Sequence, residues 1–320
     1  MMMYNTNKFY EVCKLMPPFE RILLSVPNNI AISATEIRIL VGRPIVIESS
    51  IERYICGTRC IDTDEIYCCI KNFCDYSIHS CQRELSEGWI TLKGGHRAGF
   101  SGTARISGGK LDLICDISSL NIRIAREHKG IYDVLFSKIK RFEHFNGMVI
   151  AGAPLSGKTT FLRDLCRNYG NCNKTALVDE RGEIAAVYKG VPQNDIGLNT
   201  DVLDCYDKKD GIIQAMRALS PEIIICDEIG DEINSISNLG NCGIKFVFSV
   251  HCGSLYEAGK NFIISSLIES KIINVITFLD SKKNIGKMKG LWFLNNGEGV
   301  DSFNDGNNLL YNRYCNIGKS

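Results

Sequence analysis

The run Met148-Val149-Ile150-Ala151-Gly152-Ala153-Pro154-Leu155-Ser156-Gly157-Lys158-Thr159-Thr160 strings together three kinds of local structure. Met148 to Ala151 is a short apolar stretch, which reads as a buried strand. Gly152-x-x-x-x-Gly157-Lys158-Thr159 follows without a spacer. Leu162, Leu165, Cys166 and Tyr169 then fall at i, i+3, i+4 and i+7, a helical face that Gly170 is placed to end. Strand, glycine-rich turn and helix in that order make a phosphate-binding loop. The glycines let backbone N–H groups turn inward onto phosphate oxygens, and the helix N-terminus adds partial positive charge. Gly152 to Thr160 are the expected cradle, with Lys158 reaching the β- and γ-phosphates and the Thr159 hydroxyl on Mg²⁺. The competing reading, a chance match in a glycine-rich turn, does not explain the flanking strand and helix. The expectation is a chain that binds ATP and Mg²⁺.

Pro221-Glu222-Ile223-Ile224-Ile225-Cys226-Asp227-Glu228 carries the second signal. An apolar run ending in two acids puts carboxylates at the C-terminal edge of a buried strand. Asp227 is expected to hold the Mg²⁺ shell and Glu228 to orient and deprotonate the attacking water. A strand that merely ends in a solvated acidic turn is the plainer alternative. Val178-Asp179-Glu180-Arg181-Gly182-Glu183 and Ser249-Val250-His251 also end strands. Glu180 is a candidate for positioning water or metal, and Arg181 for touching a phosphate or a neighbouring subunit. His251 is a candidate sensor of the γ-phosphate, or simply a hydrogen-bonded histidine. Asn121-Ile122-Arg123-Ile124-Ala125-Arg126 alternates, which predicts Arg123 and Arg126 on one strand face, either reaching a nucleotide or simply solvated.

The remainder of the 320 residues arranges itself around that centre. Residues 1–16 read as a frayed, flexible end and 17–128 as a small α+β domain. Within it, Glu36–Val41 and Arg43–Ile47 form a hairpin about Gly42, Asp62 and Glu65 make a capping box, and a helix covers Ser77–Glu87. Residues 129–320 read as the ATPase domain, in which strands and helices alternate as a mostly parallel sheet requires. Beyond Asn274 the chain reads as antiparallel strands, Val275–Leu279 and Leu291–Leu294, then an Asn/Gly-rich tail.

Composition narrows the partners. A formal net charge of +1 gives no general attraction to nucleic acid or acidic lipid, and no basic, aromatic-interleaved stripe is evident, so no nucleic-acid partner is expected. Fifteen cysteines, scattered and odd in number, read as reduced apolar thiols better than as disulfides or a zinc site. No apolar run approaches the ~20 residues of a membrane span. If the protein works at a membrane, it is recruited there.

These residues together resemble the stage III sporulation protein AA family, a branch of the type II/IV secretion ATPases. The similarity runs from about residue 17 to about 255. It is carried by Glu36-Ile37-Arg38, Gly88–Gly102, Ser118–Arg126, Gly152–Thr160, Val178–Glu183, Thr200–Asp204, Ser220–Gly230 and Ser249–His251. The resemblance implies a RecA-like fold and a cytoplasmic, mother-cell ATPase docked on a membrane channel between mother cell and forespore. It also implies a homo-hexameric ring with nucleotide between its domains. Lys158, Thr159, Asp227 and Glu228 carry over as nucleotide and hydrolysis residues, and Glu180 and His251 match more loosely. Asn199 departs from the pattern, where an arginine is expected before Thr-Asp-Val-Leu-Asp. A nucleic-acid-dependent translocase and a nucleotide-gated adaptor remain the alternative functions.

Overall fold

The computed structural model describes residues 2–77, 81–127, 129–142, 144–230, 232, 243–253, 255–258, 260–280, 286–295 and 298–301. The chain divides into two compact units. The first comprises Met1–Glu127 together with Ala186–Asn194, and the second His128–Ala185 together with Asp195–Ser320.

The first unit opens with helices α1 (Met2–Lys14), α2 (Glu20–Leu24) and α3 (Asn28–Ser33). Strands β1 (Ala34–Leu40), β2 (Ile45–Ser49) and β3 (Arg53–Cys56) follow, then α4 (Thr63–Phe73) and α5 (Gln82–Glu87). Strands β4 (Trp89–Thr91), β5 (Arg97–Ser107) and β6 (Lys110–Arg123) complete an antiparallel sheet of order β3-β2-β1-β6-β5-β4. The sheet is one-sided. Ile37, Ile39, Ile45, Ile47, Leu120 and Ile122 are fully buried, while alternate residues such as Arg38 and Arg123 face outward. Gly108 and Gly109, at φ +58° and +78°, turn β5 into β6, the left-handed pair a two-residue hairpin loop needs. The capping box forms as expected: Glu65 N–H donates to Asp62 Oδ1 at 2.9 Å and Asp62 N–H to Glu65 Oε2 at 3.2 Å.

Two expectations change here. Within residues 1–16, expected to be a frayed end, Phe9, Val12, Cys13 and Met16 are completely buried, so the stretch from Phe9 to Met16 is not frayed. Their i, i+3, i+4, i+7 spacing is the apolar stripe that docks α1 and the turn after it onto this core. The helix expected over Ser77–Glu87 is confined to Gln82–Glu87 among the described residues, and 78–80 lie outside them.

The second unit carries α6 (Asp133–Lys140), β7 (Gly147–Gly152), α7 (Lys158–Gly170) and β8 (Thr175–Asp179). The chain then enters the first unit for the small hairpin β9 (Val187–Tyr188) and β10 (Val191–Pro192). There Gln193 Oε1 accepts a hydrogen bond from Gly94 N–H at 2.8 Å, and Asp75 pairs with Lys189. Back in the second unit come β11 (Thr200–Asp204), α8 (Lys208–Ala218), β12 (Ile223–Cys226) and β13 (Lys245–His251). Helices α9 (Leu255–Ala258) and α10 (Phe262–Glu269) lead to β14 (Val275–Leu279), β15 (Met288–Asn295) and β16 (Glu298–Asp301). The sheet order is β11-β8-β12-β13-β7-β14-β15-β16. Its first six strands are mutually parallel, and every residue of β7, β8, β12 and β14 is buried, as a sheet covered on both faces requires.

The C-terminal strands pair as expected, and the structure adds where they attach. β14 pairs antiparallel with β15, but it lies parallel to β7 and so extends the main sheet. The helices over 255–269 supply the crossover that a parallel neighbour needs.

Candidate functional site

Four parallel strands deliver their C-terminal ends to one edge, and the chemistry collects there. β7 runs into the loop 153–157, and α7 begins at Lys158. Gly157 has φ +91°, open to glycine at little cost, and a Cβ on Gly152 would lie 2.5 Å from Ser156 Oγ. Both glycines of the motif are therefore required by geometry. Lys158 is 5 % exposed, and its ammonium donates to Gly152 O at 3.1 Å and Ala153 O at 3.0 Å. Burial lowers its pKa, and the nearby Asp227 and Glu228 carboxylates oppose that shift. Ser156 Oγ is buried with no hydrogen-bond partner among the described residues.

Asp227 follows directly on β12. Thr159 Oγ1 donates to its Oδ2 at 3.0 Å, and Ser249 Oγ, on β13, donates to its Oδ1. A hydroxyl and a carboxylate side by side at the head of a helix are the oxygen donors that Mg²⁺ takes beside a nucleotide. The residues present fit Mg²⁺ and triphosphate.

Glu228 stands next, at φ +51°. Its Oε2 accepts from Arg181 Nη1 at 2.8 Å, and its Oε1 lies 2.6 Å from His251 Nε2. His251 Nδ1 lies 3.1 Å from the Lys158 ammonium. An ammonium can only donate, so Nδ1 accepts and Nε2 carries the hydrogen that reaches Glu228. His251 thus connects Lys158 to Glu228. Glu180 lies 3.3 Å from the Lys208 ammonium. Its neighbour Asp179 is 2 % exposed and accepts from the N–H groups of Glu183, Ile184 and Ala185 at 3.0, 3.0 and 2.8 Å. Burial still pushes the Asp179 carboxyl up to about 6, against those three hydrogen bonds.

The edge therefore brings together Lys158, Thr159, Glu180, Asp227, Glu228 and His251. Arg123 and Arg126 belong to the first unit. They do not share a strand face, because β6 ends at Arg123. Three residues on, Arg126 Nη2 donates to Ser33 O at 2.6 Å and Ala34 O at 2.8 Å, holding the end of α3. Two site residues were not singled out from sequence. Ser249 sits two residues before His251 on the same strand, so the period-2 rule places both on one side and could have found it. Lys208 follows a loop and carries no such signal.

Comparisons with known proteins agree with this architecture. The family model described as Sporulation stage III, protein AA matches residues 10–300. Stage III sporulation protein AA of Bacillus subtilis (strain 168) is 31% identical over 294 residues, spanning 88% of this chain and 94% of that protein. Among solved structures, the ATPase DotB of Legionella pneumophila superposes with TM-score 0.54 at 16% identity, over 82% of this chain and 76% of its own. The pilus retraction motor PilT with bound ADP gives TM-score 0.56 at 14% identity, over 89% and 84%. Those two likenesses establish the fold, a RecA-like architecture. Among the described residues no helix is long and apolar enough to cross a membrane.

Proposed function

The chain belongs to the sporulation stage III protein AA family, and from that premise we propose that it is a Mg²⁺-dependent ATPase energising a membrane-spanning, secretion-like complex between mother cell and forespore. The observation that carries the activity is the chain of contacts Lys158–His251–Glu228–Arg181 beside the Thr159–Asp227 pair. Gly152 to Thr160 wrap the phosphates, with backbone N–H groups and the head of α7 facing them. Thr159 and Asp227 would hold Mg²⁺, which would supply neutralisation of phosphate charge.

Lys158 leaves the Gly152 and Ala153 carbonyls for the phosphates, and His251 then loses its ammonium partner. Its other nitrogen rests on Glu228, so the histidine reports the phosphate's presence to the base. Glu228 accepts the proton of the attacking water, with Glu180 assisting its placement. The proposed assembly is a homo-hexameric ring on the mother-cell side, recruited peripherally to stage III membrane-channel proteins. The alternation of residues 121–126, and not the family pattern, is what offers Arg123 and Arg126 as nucleotide contacts; that role requires Arg126 to leave Ser33 O and Ala34 O.

The test is phosphate release by wild type, Lys158→Ala and Glu228→Gln, with mass read by light scattering in the same samples. Turnover lost in both variants, together with oligomers favoured by ATP, is the expected result. ATP binding with no phosphate release, even with the membrane partner added, would mean a nucleotide-gated adaptor. Stimulation by single-stranded DNA that weakens steeply with salt would mean a translocase.

A further inference from the structure

Lys208 is the group at this edge that no motif assigns. It opens α8, whose start is fixed by Asp207 Oδ1 accepting from the N–H groups of Lys209 at 3.0 Å and Asp210 at 3.4 Å. With its backbone so anchored, the Lys208 side chain, only 12% exposed, reaches across two strand ends. Its ammonium donates to Glu228 O at 2.8 Å and lies 3.3 Å from Glu180 Oε2.

The peptide it holds is an unusual one. Glu228 has φ +51°, a left-handed conformation that is strained for an L-residue and persists only where surroundings over-determine it. One side of that conformation is fixed by Ser249. Its hydroxyl accepts from Glu228 N–H at 2.8 Å, and its carbonyl accepts from Ile229 N–H at 2.9 Å. The other side is fixed by Lys208 on the Glu228 carbonyl. An ammonium is a strong donor in a site sheltered from water, and a charge-assisted bond is about twice a neutral one. The same cation also holds Glu180, the residue that follows β8, and β8 lies next to β12 in the sheet. Lys208 therefore ties together two of the acids that the strand edge presents, Glu180 through its carboxylate and Glu228 through its backbone carbonyl.

We propose that Lys208 is a positioning residue for hydrolysis: it holds the Glu228 peptide in its left-handed turn and Glu180 beside it, so that the Glu228 carboxylate points to the attacking water. Lys208 makes no contact with the phosphate loop among the described interactions, so nucleotide affinity does not depend on it. This rests on the ATPase reading above.

The experiment measures steady-state ATP hydrolysis, ADP affinity and melting temperature for wild type, Lys208→Met, Lys208→Arg and Glu180→Gln. Lys208→Met is expected to lower kcat by about tenfold to a hundredfold, the scale of a small misplacement of a reacting group. KM for ATP and affinity for ADP stay within about twofold. Lys208→Arg keeps the charge and a donor and recovers most of kcat, and Glu180→Gln gives a smaller loss. A Lys208→Met protein with unchanged kcat overturns the proposal. So does one whose kcat falls only in step with ADP affinity and melting temperature, or a Lys208→Arg protein as impaired as Lys208→Met. Absence of turnover in the wild type itself overturns the ATPase reading and this role with it, a result distinguishable because the variants then have nothing to lower.

Discussion

The two sheets of this protein place their buried polar groups in opposite ways. In the antiparallel sheet of the first unit, the fully buried polar side chain is His96, in the turn between β4 and β5. Its Nδ1 accepts from Ala125 N–H at 3.0 Å, its Nε2 faces Glu11 Oε2 at 3.6 Å, and burial pushes its pKa down to about 3. It is a neutral structural plug. In the parallel sheet of the second unit, polar residues gather at strand ends, are ionised or metal-binding in type, and contact one another. The difference follows from sheet geometry. Parallel strands all end on the same side, so their C-terminal residues converge, whereas antiparallel neighbours alternate ends and scatter theirs.

Substitutions should separate the two regions cleanly. The largest effect is expected at the parallel edge, where Glu228→Gln should lower turnover by about a thousandfold, the middle of the range for a general base. Its melting temperature should match the wild type; a parallel loss of stability would blur the distinction. Next comes His96. Its folded pKa of about 3 lies below the ordinary 6.5, so the unfolded chain takes up the proton first as pH falls. Stability contributed by the neutral ring is full above pH 6.5 and is lost toward pH 3, at about 1.4 kcal/mol per pH unit. Denaturant titrations from pH 7 to 4 should show that slope, and His96→Asn should remove it.

Asp179 should behave with the opposite sign. Its folded pKa of about 6 lies above the ordinary 3.8, so the folded state takes up the proton first. Between pH 6 and pH 4 the wild type should gain about 2–3 kcal/mol relative to Asp179→Asn. A flat difference across that window would show that the three backbone hydrogen bonds outweigh burial. The smallest effect is reserved for Asp62→Ala, which removes the α4 capping box and should cost the first unit about 1 kcal/mol in urea unfolding without altering turnover.

Much of this was open to reading in one dimension. The glycine-rich loop after β7 and the helix that follows it were legible from apolar periods and two glycines. Asp227 and Glu228 follow from an apolar run ending in acids, and the β1–β2 hairpin and the α4 cap from local turn and capping chemistry. The N-terminal helix was legible too, since Phe9, Val12, Cys13 and Met16 keep helical spacing, but polar residues around them and the chain end masked it. The entry of residues 186–194 into the first unit left no such trace, because the contacts that seat it, Gln193 on Gly94 and Lys189 on Asp75, join residues far apart in sequence.

What the sequence determined by itself was which residues stand at strand ends and which chemistry they carry. Only the tertiary structure decided that β13 lies between β7 and β12, which sets Ser249 against Asp227 and His251 between Lys158 and Glu228. The same holds for Lys208, brought from the start of α8 onto Glu228. Periodicity and capping act over a few residues and are written in adjacent letters. Strand order is set by burying the whole sheet at once, and no short stretch of sequence contains it.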